Sequence, residues 1–307
     1  MIDVFFNAVL PVFAVVAVGF AFGRGGLFDF PAALALNRFV FYAALPLLFF
    51  RLIATSPFAR FEWLLVLAFL LAELIVYAVG YVVARHIFGR SWSESLLLGM
   101  SVAFANQVFF VLPIARQLYG DAGAIPVVAV STIDVVVLLV GTIIILDAKS
   151  EQTRSISLSR LARLFTRNPP IIGISVGVIA SIVDLPLVDG LDFFTRFVGE
   201  AAAPCSLFAL GLILAQQRDE ESFAVPITIS GLKLLGMPIV AWVLITAVFQ
   251  VSPEWSNPAM LGAAGPTGAL PFVLALQYQI PVAAIARTIL ISTLGSLVTV
   301  TVITQIV

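Results

Sequence analysis

Charge, cysteine and histidine are all scarce in this chain. Of its 307 residues 11% are charged and 61% hydrophobic, and the net charge is −1. A soluble protein of this length carries roughly a quarter charged residues, so a soluble fold is excluded. The single cysteine, Cys205, rules out an internal disulfide and a thiolate metal site. The single histidine, His86, stands beside Arg85 near Gly89 at the end of an apolar run and reads as a surface residue. Without a serine–histidine pair, a zinc motif or a Gly-Asp setting for Asp134, intramembrane proteolysis has no machinery. There is no glycine-rich phosphate loop, and the connections are too short for a nucleotide-binding domain. An enzyme is therefore not expected, nor is any cofactor or nucleic-acid partner. The start, Met1-Ile2-Asp3, lacks the basic stretch of a cleaved signal, so the first apolar run is expected to be retained.

What remains is apolar sequence in long runs. Crossing ~30 Å of hydrocarbon takes about 20 residues of helix. Ten runs reach or approach that length, at 4–22, 34–54, 62–84, 95–119, 124–146, 169–186, 191–216, 224–249, 257–279 and 283–307. Their length and continuity favour helices over a barrel. The chain also repeats itself at an offset of 158 residues. Pro11 falls on Pro169, Gly19 on Gly177, Arg38-Phe39-Val40 on Arg196-Phe197-Val198, Pro46 on Pro204, and Leu112-Pro113 on Leu270-Pro271. Five spans per copy is an odd number, so the second copy is inverted in the bilayer, as is usual in secondary transporters. The expected organisation is an all-α membrane protein with a first repeat at 1–146, a linker at 147–168 and a second repeat at 169–307.

Basic residues orient it. Connections after odd-numbered spans hold Arg24, Arg85, Arg90, Lys149, Arg154, Arg160, Arg163, Arg167, Arg218 and Arg287, and those after even-numbered spans hold Arg51 and Arg60. That bias puts the first set in the cytoplasm and both termini outside. In the linker, Arg160, Arg163 and Arg167 recur at helical spacing, either as a basic helix on the inner membrane face or as a solvated connection.

Spans four and nine are repeat partners and both carry helix breakers. Span four reads Asn106-Gln107-Val108-Phe109-Phe110-Val111-Leu112-Pro113, and span nine reads Gly265-Pro266-Thr267-Gly268-Ala269-Leu270-Pro271. A proline inside a helix removes one hydrogen bond and clashes with the carbonyl four residues back. Freed backbone groups cannot face lipid and must line protein or a wet cavity. Half-helix starts there suit an anionic group. Asn106, Gln107 and Thr267 add hydrogen-bonding side chains, so these breaks are the expected binding site. Pro46 and Pro204 read as packing kinks.

Three charges fall inside spans: Glu73, Asp134 and Lys233. Intramembrane charge is costly and marks function or a buried pair. Lys233 could pair permanently with Glu73 or Asp134, or the set could couple transport to a proton or cation. Arg196 and Glu200 have salt-bridge spacing. Arg116 either snorkels or reaches back to a substrate carboxylate.

The residues resemble the auxin efflux carriers, which include the plant PIN proteins and bacterial relatives. Asn37-Arg38-Phe39-Val40 through Pro46-Leu47-Leu48 resembles that family's second span. Asn106 seven residues before Pro113, with Arg116 three after it and Tyr119-Gly120 at the end, is similar to its fourth. Pro266 to Tyr278 follows the pattern P-x-G-x-x-P-F-V-x-A-x-x-Y, and Lys233 followed by Pro238 is like the eighth span of bacterial members. The resemblance covers the whole chain. It implies a bile-acid-symporter-like fold in which spans one, two, six and seven form a scaffold and homodimer contact. Spans three to five and eight to ten would form a moving, elevator-type transport unit. Spans four and nine would cross at their prolines, with Asn106 near the substrate carboxylate. Plant members carry auxin, and bacterial members are linked to malonate and malate. The chain lacks the plant proteins' long central loop and has Thr267 where they have glutamine.

The expected function is efflux or exchange of a small organic carboxylate across the plasma membrane, with possible proton or sodium coupling. A channel or uniport facilitator of the same solutes, or a sodium-coupled symporter, is the alternative. Expected binding residues are Asn106, Gln107, Pro113, Arg116, Gly265, Pro266, Thr267 and Pro271. Glu73, Asp134 and Lys233 are the expected coupling set.

Overall fold

A computed structural model describes residues 10–150, 168–216 and 222–306. Most of the basic linker, including Arg160, Arg163 and Arg167, lies outside the described residues. Within them the secondary structure is helical, and the one β feature is an isolated antiparallel bridge between Ala105 and Thr267. The helices in chain order are α1 Leu10–Arg24, α2 Phe30–Ala54, α3 Trp63–Ile87, α4 Trp92–Ala103, α5 Gln107–Ala148, α6 Pro169–Ile182, α7 Asp189–Gln216, α8 Ala224–Val248, α9 Pro253–Ala264, α10 Leu270–Gln277 and α11 Ala283–Ile306. Six of them, α2, α3, α5, α7, α8 and α11, are long and apolar enough to cross a membrane. The protein is a multi-pass membrane protein.

Local chemistry sets the ends. Asp29 accepts from the Ala32 amide at 3.0 Å and Pro31 occupies the first turn, so α2 begins at Phe30, four residues before its apolar run suggests. Ser91 caps α4 by accepting from the Glu94 amide at 3.2 Å. Between spans four and five there is no connecting loop. Gly120 alone, at φ 69° and ψ −165°, turns the chain within α5. A side chain at that φ is strained, which is why glycine stands there.

Several helices contain wide π turns. Those at Val40–Ala44, Gln107–Val111 and Leu232–Gly236 each end two residues before a proline, namely Pro46, Pro113 and Pro238. Each proline lacks an amide and crowds the carbonyl four residues back, and the wider turn accommodates both. Pro204 has a different effect. It loosens α7 at Glu200–Ala201, and the Arg196–Glu200 pair expected from the spacing does not form. Arg51 at the end of α2 instead binds Asp192 at 2.8 Å.

Packing divides the helices into two sets. The second half of α7 lies along α1, and α6 lies along the second half of α2. Helix α3 packs on α4 and on α8, α9 packs on α5, and α8 packs on α11. Two close approaches in the first set mirror each other: Gly19 meets the Phe208 backbone and Gly177 meets the Phe50 backbone. Gly19 and Gly177 are 158 positions apart, and so are Phe50 and Phe208.

Candidate substrate site at the crossed helix breaks

Helix α4 stops at Ala103 and α9 stops at Ala264. The chain then runs extended through Phe104, at φ −72° and ψ 111°, and through Gly265, at φ −68° and ψ 164°. The two stretches cross and join. The Asn106 amide donates to the Pro266 carbonyl at 2.9 Å, and the Gly268 amide donates to the Phe104 carbonyl at 3.0 Å. Other orphaned groups are met by side chains. Lys233 Nζ donates to the Ala103 carbonyl at 3.2 Å, and Thr267 Oγ1 to the Ser101 carbonyl at 2.8 Å. Thr299 Oγ1 donates to the Ala264 carbonyl at 2.8 Å, and the Thr267 amide to Ser292 Oγ at 3.1 Å. Buried backbone groups are thereby paired despite the breaks, as an apolar surround requires.

A cavity of about 90 Å³ opens beside the crossing. A single water needs roughly 10–15 Å³ on this measure, so the space suits several waters or a small solute. Its polar lining comes from Asn106, Gln107, Ser131, Asp134, Ser206, Thr267 and Thr293, among Phe49, Phe104, Phe109 and aliphatic residues. The chain restarts helical turns at Gln107 and Leu270, both on the lining, and the first amides of a helix have no acceptor within it. The walls carry the repeat. Leu45 and Ala203, Leu48 and Ser206, Phe49 and Leu207, Ser131 and Ile289, and Val135 and Thr293 all line the cavity and are each 158 apart.

Glu73 on α3, Asp134 on α5 and Lys233 on α8 are 0%, 1% and 0% exposed. The three lie close enough to act on one another's charge, and Asp134 also faces Gln107. Asp134, first residue of the π turn Asp134–Leu139, lines the cavity, whereas Glu73 and Lys233 are off the lining. A direct ion pair of Lys233 with either acid, one of the two readings of the sequence, is not made. The carboxyl oxygens of Glu73 and Asp134 have no hydrogen-bond donor among the described residues, because the ammonium is held by the carbonyl that the end of α4 leaves open.

Of the residues singled out from the sequence, the structure brings Asn106, Gln107, Thr267 and Asp134 to the cavity. Gly265, Pro266 and Pro271 are buried in the crossing but off the lining. Pro113 and Arg116 are exposed and stand away from it, so Arg116 does not reach back to the cavity. Ser131, Ser206 and Thr293 escaped the sequence reading. The 158-residue shift was the signal that could have found them, since it ties each to a lining partner.

Interrupted helices cross beside a polar cavity inside a bundle of apolar helices, and similarity to known proteins names the class of membrane protein. Residues 4–304 match the family described as membrane transport protein, and the chain belongs to that family of transporters. This bears out the resemblance to the auxin efflux carriers. The chain is 28% identical over 301 residues to a protein of Rhizobium meliloti (strain 1021) named "Putative malonate transporter", covering 95% of this chain and 92% of that one. It is 25% identical over 300 residues to an "Uncharacterized transporter" of Methanothermobacter thermautotrophicus (strain ATCC 29096 / DSM 1053 / JCM 10044 / NBRC 100330 / Delta H), with 95% of each chain covered.

Proposed function

We propose that the protein is a secondary active transporter of small organic carboxylates, effluxing or exchanging them across the plasma membrane, and that the cavity at the crossing holds the solute. The observation that carries this is the bridge between 104–106 and 266–268. It leaves two helix starts and seven polar side chains on one small cavity deep in the bundle. Helix starts and amide side chains suit a carboxylate. The relative's name points to malonate as the first solute to try.

The finer architecture follows the same reading. Two inverted five-helix halves, with ten spans in all, are supported by the mirrored Gly19–Phe208 and Gly177–Phe50 contacts and by the paired cavity walls. A scaffold of α1, α2, α6 and α7 and a moving unit of the remaining helices are supported by the two packing sets. The homodimer rests on the family resemblance, and the orientation, termini outside, rests on the basic residues. The test is thermal stabilisation of the purified protein by a panel of mono- and dicarboxylates, with malonate counterflow in liposomes. Asn106→Ala should abolish the response to the solute that stabilises the wild type. Unchanged affinity in that variant refutes the site.

A further inference from the structure

The transport reading leaves one buried cluster without a task. Glu73, Asp134 and Lys233 sit together with two acids to one base. The acid oxygens accept no hydrogen bond from a donor among the described residues, and neither amide atom of Gln107, 3% exposed and facing Asp134, has a partner there. The charged groups acting on Asp134 are Glu73 from α3 and Lys233 from α8. The crossing and α11 bring it only uncharged polar groups, Gln107, Thr267, Ser292 and Thr293.

Charge counting then fixes how the cluster behaves. Unpaired charge is not tolerated in so dry a place. With the cavity free of solute, one ammonium balances one carboxylate, and the second carboxyl holds a proton. A solute carboxylate arriving beside Asn106 and Gln107 brings another negative charge next to Asp134. Two like charges that close raise the proton affinity of the acid. Balance returns when the remaining carboxylate also takes a proton, leaving Lys233 as the countercharge of the bound anion.

We propose that Glu73 and Asp134, with Lys233, form a proton-binding site that takes up one proton for each carboxylate bound, so that the protein is a proton–carboxylate symporter. The inference rests on the transport reading of the same cavity. The proton joins a carboxylate oxygen when the solute binds and leaves it on the side where the solute is released. For a monocarboxylate one negative and one positive charge cross together, and malonate crosses with its second carboxyl protonated. An inward proton gradient draws the acid inward, and export is the same cycle reversed.

The test uses the full chain in liposomes with an entrapped pH indicator and radiolabelled malonate. Wild type should carry one more proton per malonate than a variant combining Glu73→Gln, Asp134→Asn and Lys233→Met, because either acid alone beside Lys233 still takes up the proton by the same count. The comparison matters because malonate can carry a proton of its own, and that contribution is common to both proteins. A second measurement needs no variant. In weakly buffered detergent, at a pH where malonate is fully ionised, binding to the wild type should take up two protons, one on the cluster and one on malonate's second carboxyl, and affinity should fall roughly a hundredfold per unit rise in pH. Equal proton ratios in wild type and the combined variant, binding of fully ionised malonate with fewer than two protons taken up, or a sodium requirement overturns the symport while leaving malonate transport intact. No counterflow with malonate or any acid of the panel overturns the transport reading itself, and the inference with it.

Discussion

Replacing Gly268 with alanine tests whether the bridge at the crossing holds the site together. A Cβ there would lie 2.8 Å from Phe104 Cδ1 and 3.0 Å from the Ala105 carbonyl oxygen. Carbon atoms settle at about 3.5–4.0 Å. Turning the Phe104 ring relieves the first contact, but the second is with backbone, so the two extended stretches must part. The Asn106–Pro266 and Gly268–Phe104 hydrogen bonds, at 2.9 and 3.0 Å, are the ones that lengthen. Each contributes about 1 kcal/mol net, and a buried group left unpaired costs about 1–3 kcal/mol. Together the loss is roughly 2–4 kcal/mol. At about 2–4 °C per kcal/mol for a chain of this order, the melting temperature should fall by roughly 4–16 °C. Gly141→Ala is the control, because a Cβ at Gly141 meets nothing within 4 Å. The assay is thermal unfolding in detergent beside malonate counterflow in liposomes. If Gly268→Ala matches Gly141→Ala in both, the bridge does not hold the site and the reasoning fails.

Two further outcomes follow from the same structure. Lys233→Met should lower stability by about 3–5 kcal/mol, since it strips the Ala103 carbonyl of its donor and leaves two buried acids without a base. Adding Glu73→Gln should recover much of that loss, and a melting curve of the double variant no better than the single one counts against the charge balance. Gly19→Ala and Gly177→Ala each drive a Cβ into a facing backbone, at Phe208 and Phe50. Both should lower the melting temperature, Gly19→Ala the more because its Cβ meets the facing carbonyl more closely, and a loss from one with none from the other speaks against equivalent halves.

Much of this was legible because breakers cluster. Gly265, Pro266, Gly268 and Pro271 marked the interruption of span nine, and the helices stop at Ala264 and resume at Leu270. Span four was harder. Pro113 drew attention, yet the chain leaves the helix at Phe104 and is helical again from Gln107 onward, because a π turn accommodates the proline. No pattern of apolar residues announces a π turn, since it changes the count per turn only locally. The wall of the cavity formed by α2 and α7 was invisible for another reason. Phe49 and Ser206 look like ordinary residues of apolar spans, and only their shared position against the crossing makes them part of the site. The charges were seen, but not their partners. A permanent pair of Lys233 with an acid was one of two open readings, and a carbonyl opened by the end of α4 holds the ammonium.

The single-residue reversal at Gly120 has a mechanical consequence. Gln107 lies thirteen positions before it and Asp134 fourteen after, so at ~1.5 Å per residue both sit about 20 Å along their arms. Equal arm lengths bring the amide and the acid level with each other, like the tips of closed tweezers. With no slack at the pivot, the two arms fix how far Gln107 stands from Asp134. One residue inserted in either arm would swing its tip about 100° around the helix axis and uncouple them.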